Sequence, residues 1–138
     1  MKKTILFLCT GNSCRSQMAE GFMRHYFGKH FDVYSAGTNP SHLNVNAVKV
    51  MKEADINISN QKSKSVELYL KEHFDYLITV CDDANESCPV FSGKVKQRLH
   101  WGFEDPAEAR GTEKEIIEKF CKIRNLIKDK ILEYFQNN

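Results

Sequence analysis

The sequence predicts an α/β fold: a four-stranded parallel sheet flanked by helices on both faces, with residues 1–138 forming one domain. Three observations carry this. The first apolar run, Thr4–Leu8, is continuous rather than alternating, the pattern of a strand buried on both faces. Strand-like and helix-like stretches then take turns along the chain, as βαβ units do. Finally, 138 residues without an internal repeat, low-complexity tract or linker suit a single hydrophobic core.

The elements follow in order. After Thr4–Leu8, Ser16–Phe27 places Met18, Ala19, Phe22, Met23 and Tyr26 at helical spacing. Phe31–Ala36 is a second strand, closed by Gly37. Ala47–Ala54 repeats the helical interval through Val48, Met51 and Ala54, and Asn57 ends it. Ser65–Lys71 is a short helix and Phe74–Val80 a third strand. Lys96–Trp101 is a fourth. Glu113–Phe135 is the longest helix, with Ile116, Phe120, Ile123, Ile127 and Ile131 in one stripe and Thr112 at its N-cap. Two stretches rich in turn formers, Cys81–Val95 and Gly102–Gly111, follow strands. They therefore fall at the carboxyl edge of the sheet, where open α/β folds bind ligands.

Composition excludes several classes. Hydrophobic and charged fractions of 41% and 28% are those of a globular protein. Twenty basic against 18 acidic residues leave a net charge of +2, which gives no electrostatic reason to expect nucleic acid or a membrane surface as partner. The start, Met1-Lys2-Lys3 and then Thr4–Cys9, imitates a signal peptide. Its apolar run is too short for a secretory core of about 7–15 residues, and no run reaches the ~18 of a spanning helix. A cytoplasmic protein is expected. Five cysteines in a reducing compartment point to catalysis or metal binding rather than a disulfide framework.

Cys9-Thr10-Gly11-Asn12-Ser13-Cys14-Arg15-Ser16 lies between the first strand and the first helix. A thiol at that junction faces unpaired backbone N–H groups and the positive end of the helix dipole, which together favour an oxyanion. Gly11 lets the backbone turn closely around a ligand. Arg15, six positions after Cys9, can fold its planar guanidinium over two oxygens of a tetrahedral anion. The same field favours the Cys9 thiolate, with Ser16 or Ser13 as hydrogen-bond donor to the sulfur. A plain buried cysteine at a strand end is the rival account, and five residues between cysteine and arginine at this junction argue against it.

Cys9–Ser16 resembles the phosphate-binding loop of low-molecular-weight protein tyrosine phosphatases, and more closely that of the thioredoxin-coupled arsenate reductases built on the same fold. The likeness runs through CTGNSCRSQMAEG at 9–21, SAGT at 35–38, ISNQ at 58–61, CDDANESCP at 81–89 and HWGFEDPAEARGTE at 100–113. The first motif is common to both families; the others lean to the reductases. The resemblance implies a low-molecular-weight phosphatase-like fold. It also implies that Thr10, Gly11, Asn12, Ser13, Cys14, Arg15 and Ser16 bind the oxyanion, with Cys14 contributing its backbone N–H rather than its sulfur.

Asp105-Pro106 read alone is a turn, with the aspartate held extended by the proline. The resemblance makes Asp105 the general acid. The phosphatases usually follow this pair with aromatic residues, and Ala107 departs from that. Cys81 and Cys88, seven apart on a turn-rich loop, are thiols a phosphatase does not need, and they meet only if the loop bends. The resemblance arranges Cys9, Cys81 and Cys88 as a relay that passes two electrons to arsenate and is reset by thioredoxin. It implies no bound cofactor, phosphate or sulfate as competing oxyanions, a weak phosphatase side activity and a monomer. A low-molecular-weight tyrosine phosphatase is the alternative reading. Zinc bound by Cys9, Cys14, Cys81 and Cys88 is a distant third, because the spacings are wrong and Arg15 opposes a cation. Asn12, Glu20 and Ser35 match positions where some relatives hold an alkali cation. Lys62-Ser63-Lys64 stands where those relatives supply an acid, so a lysine ammonium is the competing occupant. Cys121 is expected to be a packing residue, and the five histidines show no ligand spacing.

Overall fold

A computed structural model describes residues 1–82 and 90–136. The elements run β1 (Lys3–Cys9), α1 (Arg15–Phe27), β2 (Phe31–Gly37), α2 (Val45–Glu53), a 3₁₀ turn (Val66–Tyr69), β3 (His73–Thr79), β4 (Lys94–His100), a second 3₁₀ turn (Pro106–Glu108) and α3 (Glu113–Gln136). The four strands form one sheet in the order β2-β1-β3-β4, and every pairing is parallel. All four strands therefore end at the same edge. Cys9 lies opposite Gly37, Leu8 opposite Thr79 and Thr79 opposite His100.

Side chains of β1 alternate between two cores. Ile5, Phe7 and Cys9 face a large cluster built with Met18, Phe22 and Met23 of α1, Val50 and Met51 of α2, and Phe120, Ile123, Ile127 and Ile131 of α3. Leu6 and Leu8 face a smaller cluster with Ala36, Phe74, Leu77 and Phe91. The expectation of helices on both faces is met unevenly. The three α-helices of the described residues all pack on the first face. Val66 and Tyr69 of the first 3₁₀ turn cover the second, so the predicted helix Ser65–Lys71 shrinks to four residues.

Two boundaries moved for identifiable reasons. Helix α2 begins at Val45 because the Asn44 side chain accepts hydrogen bonds from the amides of Asn46 and Ala47; such a cap contributes about 1 kcal/mol. β4 begins at Lys94, two residues early, drawn in by its register on β3. Thr112 caps α3 as expected. Its hydroxyl accepts from the Glu115 amide, and Glu115 accepts from the Thr112 amide, a reciprocal capping box.

Candidate active site

The loop from Thr10 to Cys14 is held from outside by its carbonyl oxygens. The Thr10 carbonyl accepts from the Asn39 amide (2.9 Å), Gly11 from the Ser41 amide and the Ser63 hydroxyl (3.1 and 3.0 Å), Asn12 from Gln17 Nε2 (3.0 Å) and Ser13 from the Asn44 amide (3.0 Å). In a trans peptide the N–H points opposite to the C=O. Tying four successive carbonyls outward thus turns the N–H groups of residues 11–14 inward, toward whatever the loop encloses. The Asn12 amide, 3.2 Å from Cys9 Sγ, is one of these.

Helix α1 opens directly onto the loop. Its N-cap, Cys14, makes no capping bond with its side chain, and no acidic residue sits in the first turn. The amino end of α1 is therefore left for an anion to complete. Gly37 on the neighbouring strand makes the loop's close approach workable. A Cβ there would lie 2.5 Å from the Thr10 carbonyl and 2.9 Å from the Asn12 amide.

Asn12 is the keystone. It is fully buried and takes the left-handed conformation, with φ of 48°. Its Nδ2 donates to Ser16 Oγ (2.8 Å) and Ser35 Oγ (3.0 Å), while its Oδ1 accepts from Gln17 Nε2 (3.1 Å) and the Lys64 amide (2.8 Å). Four bonds hold a backbone conformation that asparagine tolerates better than most residues.

Cys9 is a buried free thiol, with its sulfur 2.9 Å from Ser16 Oγ. Of the two serines expected to donate to it, Ser16 is the one in place. Arg15, also buried, donates from Nη1 to the Phe103 carbonyl (3.1 Å), and its Nη2 lies 3.6 Å from Asp105 Oδ2. Asp105 caps the second 3₁₀ turn by accepting from the Ala107 amide (3.0 Å), so Asp-Pro is a turn here as well as a site residue. Thr10, Gly11, Ser13, Arg15 and Asp105 line one cleft of about 710 Å³, whose rim includes His42, Glu104 and Ala107.

Cys81 follows directly on β3, where the Val80 amide still bonds the Leu8 carbonyl (3.0 Å). It is fully buried in the same apolar cluster as Cys9, and its sulfur is held in a disulfide. Cys88 lies outside the described residues.

Cys14 turns its sulfur to Asp105: Sγ donates to Oδ1 at 3.4 Å, and burial together with the nearby carboxylate pushes its thiol well up. The alkali-cation positions do converge, but their donor set does not fit a cation. Asn12 presents its Nδ2 to Ser35, whose hydroxyl donates to Glu20 Oε1, and Glu20 is already paired with Arg24 (2.8 Å) and Lys64 (3.7 Å). Sequence reasoning missed Gln17, Asn44 and Ser63 as supports of the loop. The signal was faint: polar residues inside or beside helix-spaced apolar runs.

A family model described as low molecular weight phosphotyrosine protein phosphatase matches residues 4–137. An arsenate reductase of Oceanobacillus iheyensis is 51% identical over 130 residues, covering 94% of this chain and 93% of that protein. One of Bacillus subtilis is 49% identical over 132 residues, covering 96% and 94%. Among solved structures, an arsenate reductase in its phosphate-binding state superposes with a TM-score of 0.82 at 29% identity, covering 99% and 98% of the two chains. A thioredoxin-dependent arsenate reductase of Corynebacterium glutamicum reaches 0.59 at 30% identity, covering 96% of this chain and 63% of the other. Loop geometry and sequence agree: the chain belongs to the low molecular weight phosphotyrosine protein phosphatase family.

Proposed function

We propose that this protein reduces arsenate to arsenite by a thiol relay through Cys9, Cys81 and Cys88. The observation that carries the reading is Cys81, disulfide-bonded and buried in the same apolar cluster as Cys9 two residues past β3, a placement that hydrolysis of a phosphate ester has no use for. Relatives about half identical along nearly the whole chain carry the name arsenate reductase.

The inward N–H groups of the loop and the Arg15 guanidinium hold the oxyanion with its arsenic over Cys9. The Cys9 thiolate attacks, Asp105 gives a proton to a departing oxygen, and water leaves with a sulfur–arsenic bond formed. Cys81 then attacks the Cys9 sulfur. The sulfur–arsenic pair of electrons stays on arsenic, which departs as arsenite, and a Cys9–Cys81 disulfide remains. Cys88, assigned its part on sequence alone, displaces Cys9 and leaves Cys81–Cys88 for an external dithiol to reduce. Thioredoxin is that dithiol in this reading, and no bound cofactor is needed.

Phosphate and sulfate compete for the loop by shape and charge. A phosphate ester forms a sulfur–phosphorus adduct that a thiol cannot reduce, so water cleaves it instead and the outcome is a weak phosphatase side activity. The protein acts as a monomer in the cytoplasm; among the described residues no helix is long and apolar enough to cross a membrane.

Arsenate-dependent NADPH oxidation with thioredoxin and thioredoxin reductase tests the proposal. A saturable rate that vanishes in Cys88→Ser is expected, with the Cys9–Cys81 disulfide trapped and visible by mass. A rate unaffected by Cys81→Ser and Cys88→Ser, or brisk aryl phosphate hydrolysis with no arsenate-dependent rate, would overturn it.

A further inference from the structure

We infer that Cys14 is a positioning residue for the general acid: its S–H fixes the Asp105 carboxyl group so that Oδ2 is the oxygen that delivers the proton. This rests on the reading of Asp105 as that acid.

The two oxygens of Asp105 have different surroundings. Oδ1 accepts from the Ala107 amide at 3.0 Å and from the Cys14 thiol at 3.4 Å. Oδ2 has neither donor and points at Arg15 Nη2, 3.6 Å away across the cleft. A carboxyl oxygen that already accepts two hydrogen bonds is the poorer place for a proton, since each donor favours negative charge on the atom it meets. The proton therefore belongs on Oδ2. When a bound oxyanion draws the Arg15 guanidinium to itself, Oδ2 is the atom facing the departing oxygen.

The thiol can only act as a donor here. Cys14 is 3% exposed, it is a free thiol, and the neighbouring carboxylate opposes its ionisation. It also leaves its own helix uncapped, so its side chain is committed to Asp105 and not to the loop. The two residues stand 91 positions apart, one in the anion loop and one after β4. Their contact at Oδ1 thus sets the second 3₁₀ turn against the loop and leaves Oδ2 as the oxygen available for proton transfer.

The test is a double-mutant cycle in the full chain, read as arsenate-dependent turnover with the external dithiol in excess. Cys14→Ala and the volume-keeping Cys14→Val should each lower kcat about tenfold, the scale of lost orientation for one group, with little change in KM. Cys14→Ser, which keeps a donor, should recover most of the rate. On an Asp105→Asn background the Cys14 substitutions should cost nothing more, because they act through the carboxyl group. Competition by inorganic phosphate should be unchanged in all of them, which reports an intact loop. Additive losses, no loss in Cys14→Ala and Cys14→Val, or failure of serine to restore the rate would overturn the inference while leaving Asp105 as the acid. Full activity in Asp105→Asn would overturn both readings together.

Discussion

The main-chain amide of Lys64 donates to the carboxamide of Asn12 at 2.8 Å, across 52 positions of sequence. The anion loop is therefore shaped by a segment far downstream as much as by its own residues. Replacing Asn12 with alanine strands the Lys64 amide, removes the donor that Ser16 Oγ and Ser35 Oγ share, and leaves a left-handed residue without its side-chain ties. A loss of about 2–3 kcal/mol is expected from unsatisfied buried groups, read as a lower urea midpoint. Oxyanion affinity should fall with it, and a variant binding phosphate normally would contradict this account of the loop.

Gly37→Ala tests the same loop from the neighbouring strand. The added carbon must displace the Thr10 carbonyl and the Asn12 amide, both backbone atoms. Destabilisation on the order of 1–3 kcal/mol is expected from overpacking. Turnover should suffer more than stability, because the displaced atoms belong to the oxyanion cradle. Denaturant melts and the coupled assay on the same preparation separate the two effects.

Asp105→Asn keeps the Ala107 cap within reach of its amide oxygen while removing the transferable proton. Turnover should drop by roughly 10²–10⁴, the usual weight of a general acid. Phosphate competition should remain, since the loop does not depend on the carboxyl group for its shape.

Lys64 lies beside Asn12 and Glu20, two of the residues matched to an alkali-cation site in the sequence. Its ammonium bonds the Lys62 carbonyl at 2.6 Å and lies 3.7 Å from Glu20, with burial pulling its pKa down and Glu20 pulling it up. Turnover in potassium and in sodium should coincide at equal ionic strength. Lys64→Met should lower turnover without making it respond to potassium; a potassium response in the unaltered protein would sink this view.

Asp75 offers a test of acid stability. Its carboxylate accepts from the Thr4 amide at 2.8 Å, and this bond, with help from Lys96, lowers its pKa below the ordinary 3.8. A depressed folded-state value means the stabilisation is complete above 3.8 and disappears as pH falls through the lower folded value. Asp75→Asn should therefore narrow the gap between urea midpoints at pH 7 and pH 3. An unchanged gap would remove Asp75 from the explanation.

Much of this was legible in the sequence because it is local. The continuous apolar run of β1 and the stripe of α3 each declare their element within a few residues. The segment from Cys9 to Ser16 declares an anion site by residue type and spacing alone. What stayed hidden depends on distant contacts. Gln17 reads as one polar residue on a helix, and its bond to the Lys62 carbonyl exists only once residues 61–64 pack beside it. Cys14 and Asp105 are unrelated in sequence, and only the placement of the turn after β4 joins them. The first 3₁₀ turn was over-read as a helix because apolar spacing does not reveal that only a thin cover is needed on that face.

The outward anchoring of the loop carbonyls also bears on how the chain folds. Apart from Gln17 in α1, their partners come from residues 39–44 and from Ser63, so the cradle cannot close on the strength of β1 and α1 alone. A ribosome-bound chain ending before Ser63 would carry the whole Cys9–Ser16 motif and still lack a formed cradle. Refolding followed in the presence of phosphate should show oxyanion protection arriving with the last long-range contacts. Binding competence thereby waits on segments far from the motif, and the reactive thiol gains its anion-binding surroundings only when residues 39–44 and 63 have packed around the loop.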